Sequence, residues 1–167
     1  MVTTRVSAAE VVAAVSAVPD PEVPVVTIAD LGILRDVQVD APAGRVEVVI
    51  TPTYSGCPAM AAIAAHVEHV CRVAGWEPVV TTRLSPAWTT DWMTAEGKDK
   101  LSRFGIAPPA TRHTEGVVSL ELSRRLVACP RCGSTDTSEL TRFGSTACKA
   151  LRRCEVCREP FDEFKAI

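Results

Sequence analysis

Two pairs of cysteines near the end of this 167-residue chain have the spacing of a metal site. Cys129 and Cys132 enclose two residues, as do Cys154 and Cys157, and 21 residues separate the two pairs. Such a pair can direct both sulfurs at one ion from a tight turn, and the longer interval suffices for a hairpin. The spacing predicts one tetrahedral site with four thiolate ligands. Zinc is the expected occupant because it accepts four thiolates without redox chemistry, and iron at the same four-cysteine site is the alternative.

A fifth cysteine, Cys57, stands directly before a predicted helix, between Gly56 and Pro58. Backbone amides are unpaired at a helix start and the helix dipole is positive there, so this position favours a thiolate that is nucleophilic or binds metal. Thr51 and Thr53 could donate hydroxyl hydrogen bonds to the sulfur or to an anion at the same amides. The alternative is that Cys57 is a small buried hydrophobic residue at the helix start.

Carboxylates and imidazoles elsewhere could add to this chemistry. The acidic, proline-rich loop 19–24 must pack near one end of the sheet, where Asp20 and Glu22, with Asp30 beyond the loop, could supply carboxylates to the Cys57 pocket. We expect these carboxylates to be solvated residues that form turns, with no ligand or base role. His66 and His69 lie three apart on the helix after Cys57, but no third ligand is spaced with them, so we expect both to face solvent.

The remaining cysteines and two tryptophans each have two interpretations. Cys71 falls on the apolar face of its helix and is expected to pack in the core. Cys148 precedes Cys154 by six residues, and it is either a substitute ligand or a free thiol, with the second expected because two complete pairs exist without it. Trp88 and Trp92 either form an exposed docking surface or close the core of a small domain, and core packing is expected.

The pattern of helices and strands around these residues predicts an α/β (α+β) fold. We expect a small mixed sheet with helices on one face, followed by a β-rich metal module. The predicted elements are a helix over 7–18, a hairpin of strands 33–39 and 45–51, a helix from Pro58 to Gly75, a strand over 76–84, a short segment opened by Ser85 and Pro86, a helix over 95–104 and a strand over 117–122. Pro108, Pro109 and the polar run that follows predict a linker over 108–116.

Charge and composition exclude some partner classes. The net charge is −2, divided into −5 for residues 1–123 and +3 for residues 124–167, and four thiolates around a divalent cation would reduce the second value further, so no nucleic-acid partner is predicted. A capping box of Ser7 and Glu10 interrupts the N-terminal apolar run, and no segment reaches the roughly 18 apolar residues of a membrane span. With an odd number of cysteines, seven, a cytoplasmic protein is expected.

Several motifs resemble known families. The stretches Asp20-Pro21-Glu22-Val23-Pro24, Asp30-Leu31-Gly32-Ile33 and Thr51-Pro52-Thr53-Tyr54-Ser55-Gly56-Cys57-Pro58 resemble the small α/β domain of SufT-like iron–sulfur maturation factors. Residues 84–93, 104–109, 129–133 and 143–151 are similar to the PaaD (PaaJ) family of the bacterial phenylacetate pathway. The resemblance runs from Glu10 to Lys165. It assigns residues 1–107 to a SufT-like domain, 108–116 to a linker and 117–167 to a zinc ribbon.

The resemblance implies an accessory role with the multicomponent oxygenase that epoxidises the ring of phenylacetyl-CoA. The partners would be the oxygenase and reductase subunits, which are separate chains, and this chain would assist maturation of an iron–sulfur or di-iron centre rather than catalyse the oxidation. The sequence has no Glu-x-x-His pair for a di-iron bundle, no dinucleotide glycine fingerprint and no plant-type ferredoxin cysteine run. The family motifs mark Cys57 as the motif thiol and also include Thr53, Asp20 and Glu22 without assigning them a mechanism.

Three functions remain open at this point. In the leading hypothesis, Cys57 transiently holds iron or an iron–sulfur cluster while the zinc ribbon docks on a client subunit. In the second hypothesis the chain is a non-catalytic structural subunit of the oxygenase complex. In the third it is a thiol redox protein that uses Cys57 with Cys71 or Cys148, which requires a low pKa at Cys57. The sequence makes no prediction of oligomeric state.

Overall fold

A computed structural model describes residues 5–109 and 126–166, and the chain divides into two compact units, 1–97 and 98–167. The elements in chain order are α1 (Ala8–Ser16), β1 (Leu34–Asp40), β2 (Arg45–Ile50), α2 (Ala59–Val73), β3 (Glu77–Thr82), a 3-10 turn (Thr90–Trp92), α3 (Ala95–Phe104), β4 (Ile106–Ala107), β5 (Thr137–Thr141), β6 (Lys149–Cys154) and β7 (Pro160–Phe164). Within the described ranges, no helix has the length and apolar character needed to cross a membrane.

The first unit contains a three-stranded mixed sheet in the order β1-β2-β3. The β1–β2 pair is an antiparallel hairpin, whereas β2 and β3 run parallel because α2 crosses between them. Along β2 the side chains of Val46, Val48 and Ile50 are fully buried while the alternate side chains are more exposed, which is the pattern of a sheet covered on one face. The predicted mixed sheet with helices on one face is therefore confirmed.

The two helices that cover this sheet begin as the sequence predicts. Ser7 and Glu10 form the capping box of α1, with both reciprocal hydrogen bonds present. In α2 the buried positions follow a helical spacing of four residues, Ala59, Ile63, Val67 and Cys71. Cys71 is fully buried, so it packs in the core.

The segment after β3 differs from the prediction. Thr89, and not Ser85, caps the short helical turn at Thr90–Trp92, because its backbone is extended and its hydroxyl accepts a hydrogen bond from the Asp91 N–H at 3.3 Å. A capping hydroxyl must lie next to the free amides of the first turn, and Ser85 is too far back along the chain to reach them.

The second unit contains a four-stranded sheet in the order β4-β7-β6-β5. β5, β6 and β7 form an antiparallel meander, and the short β4 pairs in parallel with β7 through Ile106 and Ala107. The predicted limits of 1–107, 108–116 and 117–167 stay a prediction, but these two residues at the end of the first predicted domain supply a strand to the second unit. The predicted strand 117–122 and residues 110–116 of the predicted linker lie outside the described residues.

Candidate metal centre and thiol site

The four paired cysteines converge on one point. Cys129, Cys132, Cys154 and Cys157 place their sulfurs within 4.8 Å of one another. The Cys129 and Cys157 sulfurs are 3.8 Å apart, and the Cys132 and Cys154 sulfurs 3.5 Å. A tetrahedron with zinc–sulfur bonds of about 2.3 Å has edges of about 3.8 Å, so these residues fit a single four-thiolate ion. They form a four-cysteine metal-binding site, as the spacing predicts.

Each pair of cysteines sits in the same backbone turn. The N–H of Cys129 donates to the carbonyl of Ser134 at 2.8 Å, and the N–H of Cys154 donates to the carbonyl of Glu159 at 3.0 Å. In both turns the first cysteine is thus bonded to the residue five positions later. Two copies of one turn hold the four sulfurs, and the β5–β6 hairpin brings the turns together.

The fifth residue of each turn has a left-handed backbone. Gly133 has φ +76° and donates its N–H to the Cys129 carbonyl at 2.9 Å, while Arg158 has φ +65° and donates to the Cys154 carbonyl at 3.0 Å. Glycine adopts this conformation freely, but a residue with a Cβ adopts it only at a cost. The second turn therefore holds a strained residue where the first holds a relaxed one.

The thiols of Cys154 and Cys157 differ in pKa. The backbone N–H of Cys157 lies 3.5 Å from the Cys154 sulfur, and this interaction lowers the pKa of Cys154 to about 7. For Cys157 itself the N–H of Glu159 acts to lower the pKa, but burial and the neighbouring thiols outweigh it and raise the pKa to about 12. A divalent cation at the centre would keep all four groups as thiolates.

Cys148 does not belong to this cluster. Its side chain is buried, and its sulfur lies 3.0 Å from the hydroxyl of Thr146. Among the cysteines that the structure describes, those that gather into a metal-type cluster are the two pairs alone. Cys148 is accordingly a buried thiol outside the four-cysteine centre.

A buried ion pair supports the sheet that carries the second turn. Arg152 of β6 and Glu163 of β7 are both buried, and Nη1 of Arg152 donates to Oε2 of Glu163 at 3.0 Å. Nη2 of Arg152 also lies 3.4 Å from the carbonyl of Thr137 in β5. The Arg152 guanidinium therefore links three strands. This buried ion pair was not predicted from the sequence, because charged residues in strands are usually exposed.

The Cys57 thiol lies in a half-buried position where Pro58 leads into α2. Burial raises the pKa of this thiol, while hydrogen bonding by the backbone of Ala59 and the side chain of Tyr54 acts to lower it. Tyr54 was not predicted as a site residue, although its place three residues before the cysteine in a tight turn was a usable signal.

The surroundings of Cys57 act on the pKa of its thiol in both directions. Burial raises the pKa of the thiol, the charges of Glu22 and Asp20 raise it further, and the hydrogen bonds from Ala59 and Tyr54 lower it only in part. The helix-start amide therefore acts in the predicted direction, but burial and two carboxylates outweigh it in the free thiol, and the predicted reactive or metal-binding role of Cys57 stays a prediction.

The structure brings the acidic loop to Cys57, although not into a finished ligand set. Asp20 has the turn-forming role expected of it, because its Oδ1 accepts the N–H groups of Glu22 at 2.9 Å and Val23 at 2.8 Å. It is buried, however, and so is Asp30, so the expectation that these carboxylates are solvated is wrong for both. Within the described ranges, Asp20, Glu22 and Cys57 do not appear as three ligand atoms within 4.8 Å of one another.

The other candidate side chains have structural positions. The Asp30 carboxylate accepts the Thr27 N–H at 2.9 Å and lies 3.3 Å from the Thr94 hydroxyl, so it holds a turn. Thr51 is buried, and its hydroxyl has no hydrogen-bond partner in the described part of the chain, so the predicted bond from Thr51 to the sulfur is not formed. Thr53 is buried, and its predicted role stays a prediction.

The histidines face solvent and the tryptophans pack within the first unit, as expected. His66 and His69 are exposed. Trp88 is buried, and its indole N–H donates to the carbonyl of Leu31 at 2.9 Å, so it closes the core of the first unit. Trp92 is partly buried beneath the guanidinium of Arg35, which lies 3.6 Å from the ring centroid.

Comparison with known families divides the chain in two. Residues 8–82 match the model of an iron–sulfur cluster assembly protein family, and residues 113–165 match the PaaD zinc beta ribbon domain. The Cys57 site lies in the first match and the four-cysteine centre lies in the second.

Individual relatives cover the same regions. A protein of Escherichia coli (strain K12), named as a subunit of a "Putative 1,2-phenylacetyl-CoA epoxidase", is 47% identical over 160 residues, which is 95% of this chain and 92% of that protein. The crystal structure of a domain of unknown function, DUF59, from Bacillus anthracis is 29% identical, with a TM-score of 0.51, and covers 56% of this chain and 89% of its own. A conserved hypothetical protein from Thermotoga maritima is 28% identical with a TM-score of 0.43, covering 58% of this chain and 95% of its own.

Proposed function

This chain belongs to the PaaD family, and from that membership we propose that it is an accessory protein of a phenylacetyl-CoA ring epoxidase. In this role it assists the maturation of an iron–sulfur or di-iron centre in an oxygenase or reductase subunit. Two features support the proposal: an iron–sulfur assembly type domain and a metal-binding ribbon occur in one chain, and a relative of nearly equal length is named as a subunit of that epoxidase.

The observation that carries the proposal is the thiol of Cys57 beside the carboxylates of Asp20 and Glu22. Burial and these two charges raise the pKa of the thiol, so the free thiol keeps its proton. An arriving iron cation would be attracted by the carboxylates and would displace the thiol proton, since a coordinated thiol is deprotonated. The cation is cargo here, not a resident cofactor.

The incomplete ligand set suits a transient site. One sulfur and two carboxylates that are not gathered around a point bind a cation less firmly than a preformed set, because assembling the ligands costs conformational free energy. Cargo that must be passed to a client has to be held weakly enough to leave. The four-cysteine centre, whose sulfurs are already at tetrahedral spacing, has the opposite character, and we assign it a resident zinc ion that shapes the ribbon as a docking module.

The thiol redox alternative receives no support from the site. That function requires a low pKa at Cys57, whereas burial and the acidic loop raise it. Cys71 is fully buried and lies 14 residues further along the chain, which is about 20 Å along the axis of α2.

The deciding experiment is reconstitution of ring epoxidation in cells that lack the native gene. We expect Cys57→Ser to lose most of the activity while the purified variant keeps its fold and its zinc. Cys148→Ser is the matched control, because it also removes a thiol but lies outside both sites, and it should reconstitute activity. Full activity with Cys57→Ser, together with stable copurification with the oxygenase, would instead favour the structural-subunit hypothesis.

A further inference from the structure

A segment outside both family matches packs against the turn that follows the acidic loop. The matches end at residue 82 and resume at residue 113. Between them, residues Trp88–Gly97, here called the strap, contact the Asp30–Gly32 turn within the first unit. The strap has no role in the function proposed above, and its contacts lead towards the Cys57 site.

Three hydrogen bonds tie the strap to this turn. The indole N–H of Trp88 donates to the Leu31 carbonyl at 2.9 Å, and the backbone N–H of Thr94 donates to the Asp30 carbonyl at 2.9 Å. The hydroxyl of Thr94 lies 3.3 Å from Oδ1 of Asp30. A main-chain bond and a side-chain bond therefore join the same two residues, Thr94 and Asp30.

The packing between the strap and the turn leaves no room for larger residues. A Cβ added to Gly32, whose φ is +69°, would lie 2.6 Å from the Trp92 carbonyl oxygen, and one added to Gly97 would lie 2.8 Å from the Asp30 carbonyl oxygen. The guanidinium of Arg35 lies 3.6 Å from the centroid of the Trp92 ring. Contacts this close transmit displacement, since close-packed groups cannot move independently.

Asp30 connects the turn to the acidic loop. Its Oδ2 accepts the N–H of Thr27 at 2.9 Å, and its own N–H donates to the Thr27 hydroxyl at 3.0 Å. Thr27 pairs with Pro19 in an isolated antiparallel bridge, and the next residue, Asp20, donates its N–H to the Val26 carbonyl at 2.9 Å. Hydrogen bonds and one peptide link, between Thr27 and Val26, thus connect Thr94 to Asp20, whose carboxylate acts on Cys57.

We propose that Thr94 is a positioning residue for the Cys57 site, holding Asp20 and Glu22 beside the thiol through Asp30 and the Thr27–Pro19 bridge. The proposal deepens the function proposed above and rests on it for its biological meaning, but the coupling itself is a property of the free protein. The strap would then act on the Cys57 site although it lies outside the iron–sulfur assembly match.

The test uses two nearly isosteric variants of Thr94. The Thr94 hydroxyl also accepts the N–H of Gly97 at 2.9 Å and so caps α3. Thr94→Asn keeps a cap acceptor and can still donate to the Asp30 carboxylate, whereas Thr94→Asp keeps the cap but places two carboxylates against each other. The difference between the two variants isolates the contact with Asp30.

Two readouts follow the coupling without metal or partner. The first is hydrogen exchange of the Glu22 and Val23 amides, which donate to Asp20. The second is the rate at which iodoacetamide alkylates Cys57 at mildly alkaline pH, followed by peptide mass spectrometry. We expect Thr94→Asp to accelerate exchange at both amides on the order of fivefold, which corresponds to losing one hydrogen bond, and to change the alkylation rate, with Thr94→Asn close to the unmodified chain.

The proposal is overturned if Thr94→Asp opens only the strap, with faster exchange at Asp30 and unchanged values at Glu22, Val23 and Cys57. Should circular dichroism show that this variant is unfolded, Arg35→Met provides a milder test. It removes the guanidinium that stacks on Trp92 and lies 3.5 Å from the Gly32 carbonyl, and it should produce a smaller change in the same direction. Neither readout requires the iron-carrying role. If the Thr94 variants show the coupling but Cys57→Ser keeps epoxidation activity, the proposed function alone is refuted. If Cys57→Ser loses activity but the Thr94 variants show no coupling, only the positioning role of Thr94 is refuted.

Discussion

Gly133 and Arg158 occupy equivalent positions in two copies of one metal-binding turn, and both have a left-handed backbone, with φ of +76° and +65°. The first residue adopts it without strain and the second does not. This difference within one site allows a test in which each turn serves as the reference for the other.

Replacing Arg158 by glycine should stabilise the zinc-bound ribbon by about 0.5–1 kcal/mol, because it relieves the left-handed strain at that residue. Gly133→Ala should destabilise it by about 1 kcal/mol, since an added Cβ there has open space around it and the cost lies in the backbone alone. Denaturant unfolding of the zinc-loaded chain measures both. Changes of the same sign in the two variants would contradict the strain argument.

The four-cysteine centre predicts a division among the cysteines of the second unit. Cys129→Ser should lose bound metal and unfold the sheet around β6, because much of the stability of a small metal module is binding free energy. Cys148→Ser should retain the metal, since that thiol lies outside the cluster. Metal analysis, combined with circular dichroism before and after a chelator, gives the answer. Equal metal loss in both variants would show that Cys148 is a ligand.

The ion pair between Arg152 and Glu163 should be costly to break from one side. Glu163→Gln leaves a buried guanidinium without its principal counter-charge, and we expect a loss of about 3 kcal/mol in the free energy of unfolding. The control is Asp99→Asn in α3, which breaks an exposed pair with Arg103 and should cost less than about 0.5 kcal/mol. Equal effects of the two changes would mean that burial does not govern the strength of the pair.

The acidic loop should control the reactivity of Cys57. Because the charge of Glu22 raises the pKa of this thiol, Glu22→Gln should lower that pKa, and alkylation of Cys57 should reach half its maximal rate at a lower pH. At any pH below that midpoint the variant thiol would then react faster than the unmodified one. Glu47→Gln removes a carboxylate from the exposed side of β2 and should leave the profile unchanged. An identical pH profile in all three proteins would show that the charge of Glu22 does not influence the reactivity of Cys57.

Much of the fold was predictable because local signals and tertiary contacts agree. The capping box at Ser7, the glycine ends of α2 and α3, and the turn between β1 and β2 each act over a few residues and are visible as short motifs. The four-cysteine cluster was predictable for the same reason, since each of two tight turns fixes one pair of sulfurs. Motifs whose chemistry is complete within five residues can be recognised in the sequence itself.

The errors concern properties that depend on residues far apart in the sequence. The helix start alone indicates a thiolate at Cys57, but burial of the thiol, together with the charges of an acidic loop more than thirty residues earlier, raises its pKa. Likewise, Ser85 and Pro86 have the composition of a helix start, while the position of the turn is determined by Trp88 and Thr94 docking on the Asp30 turn. Charge–charge and packing terms of this kind cannot be summed from local propensity.

The short pairing of Ile106 and Ala107 with β7 affects how the molecule can be divided for experiments. A shortened chain that begins at the prolines after Ala107 would contain every cysteine of the metal site and would still lack one outer strand. Its sheet would end in a row of bare amides and carbonyls, a surface that invites self-association. A dissection that starts before residue 98 retains that protective strand with the helix leading into it.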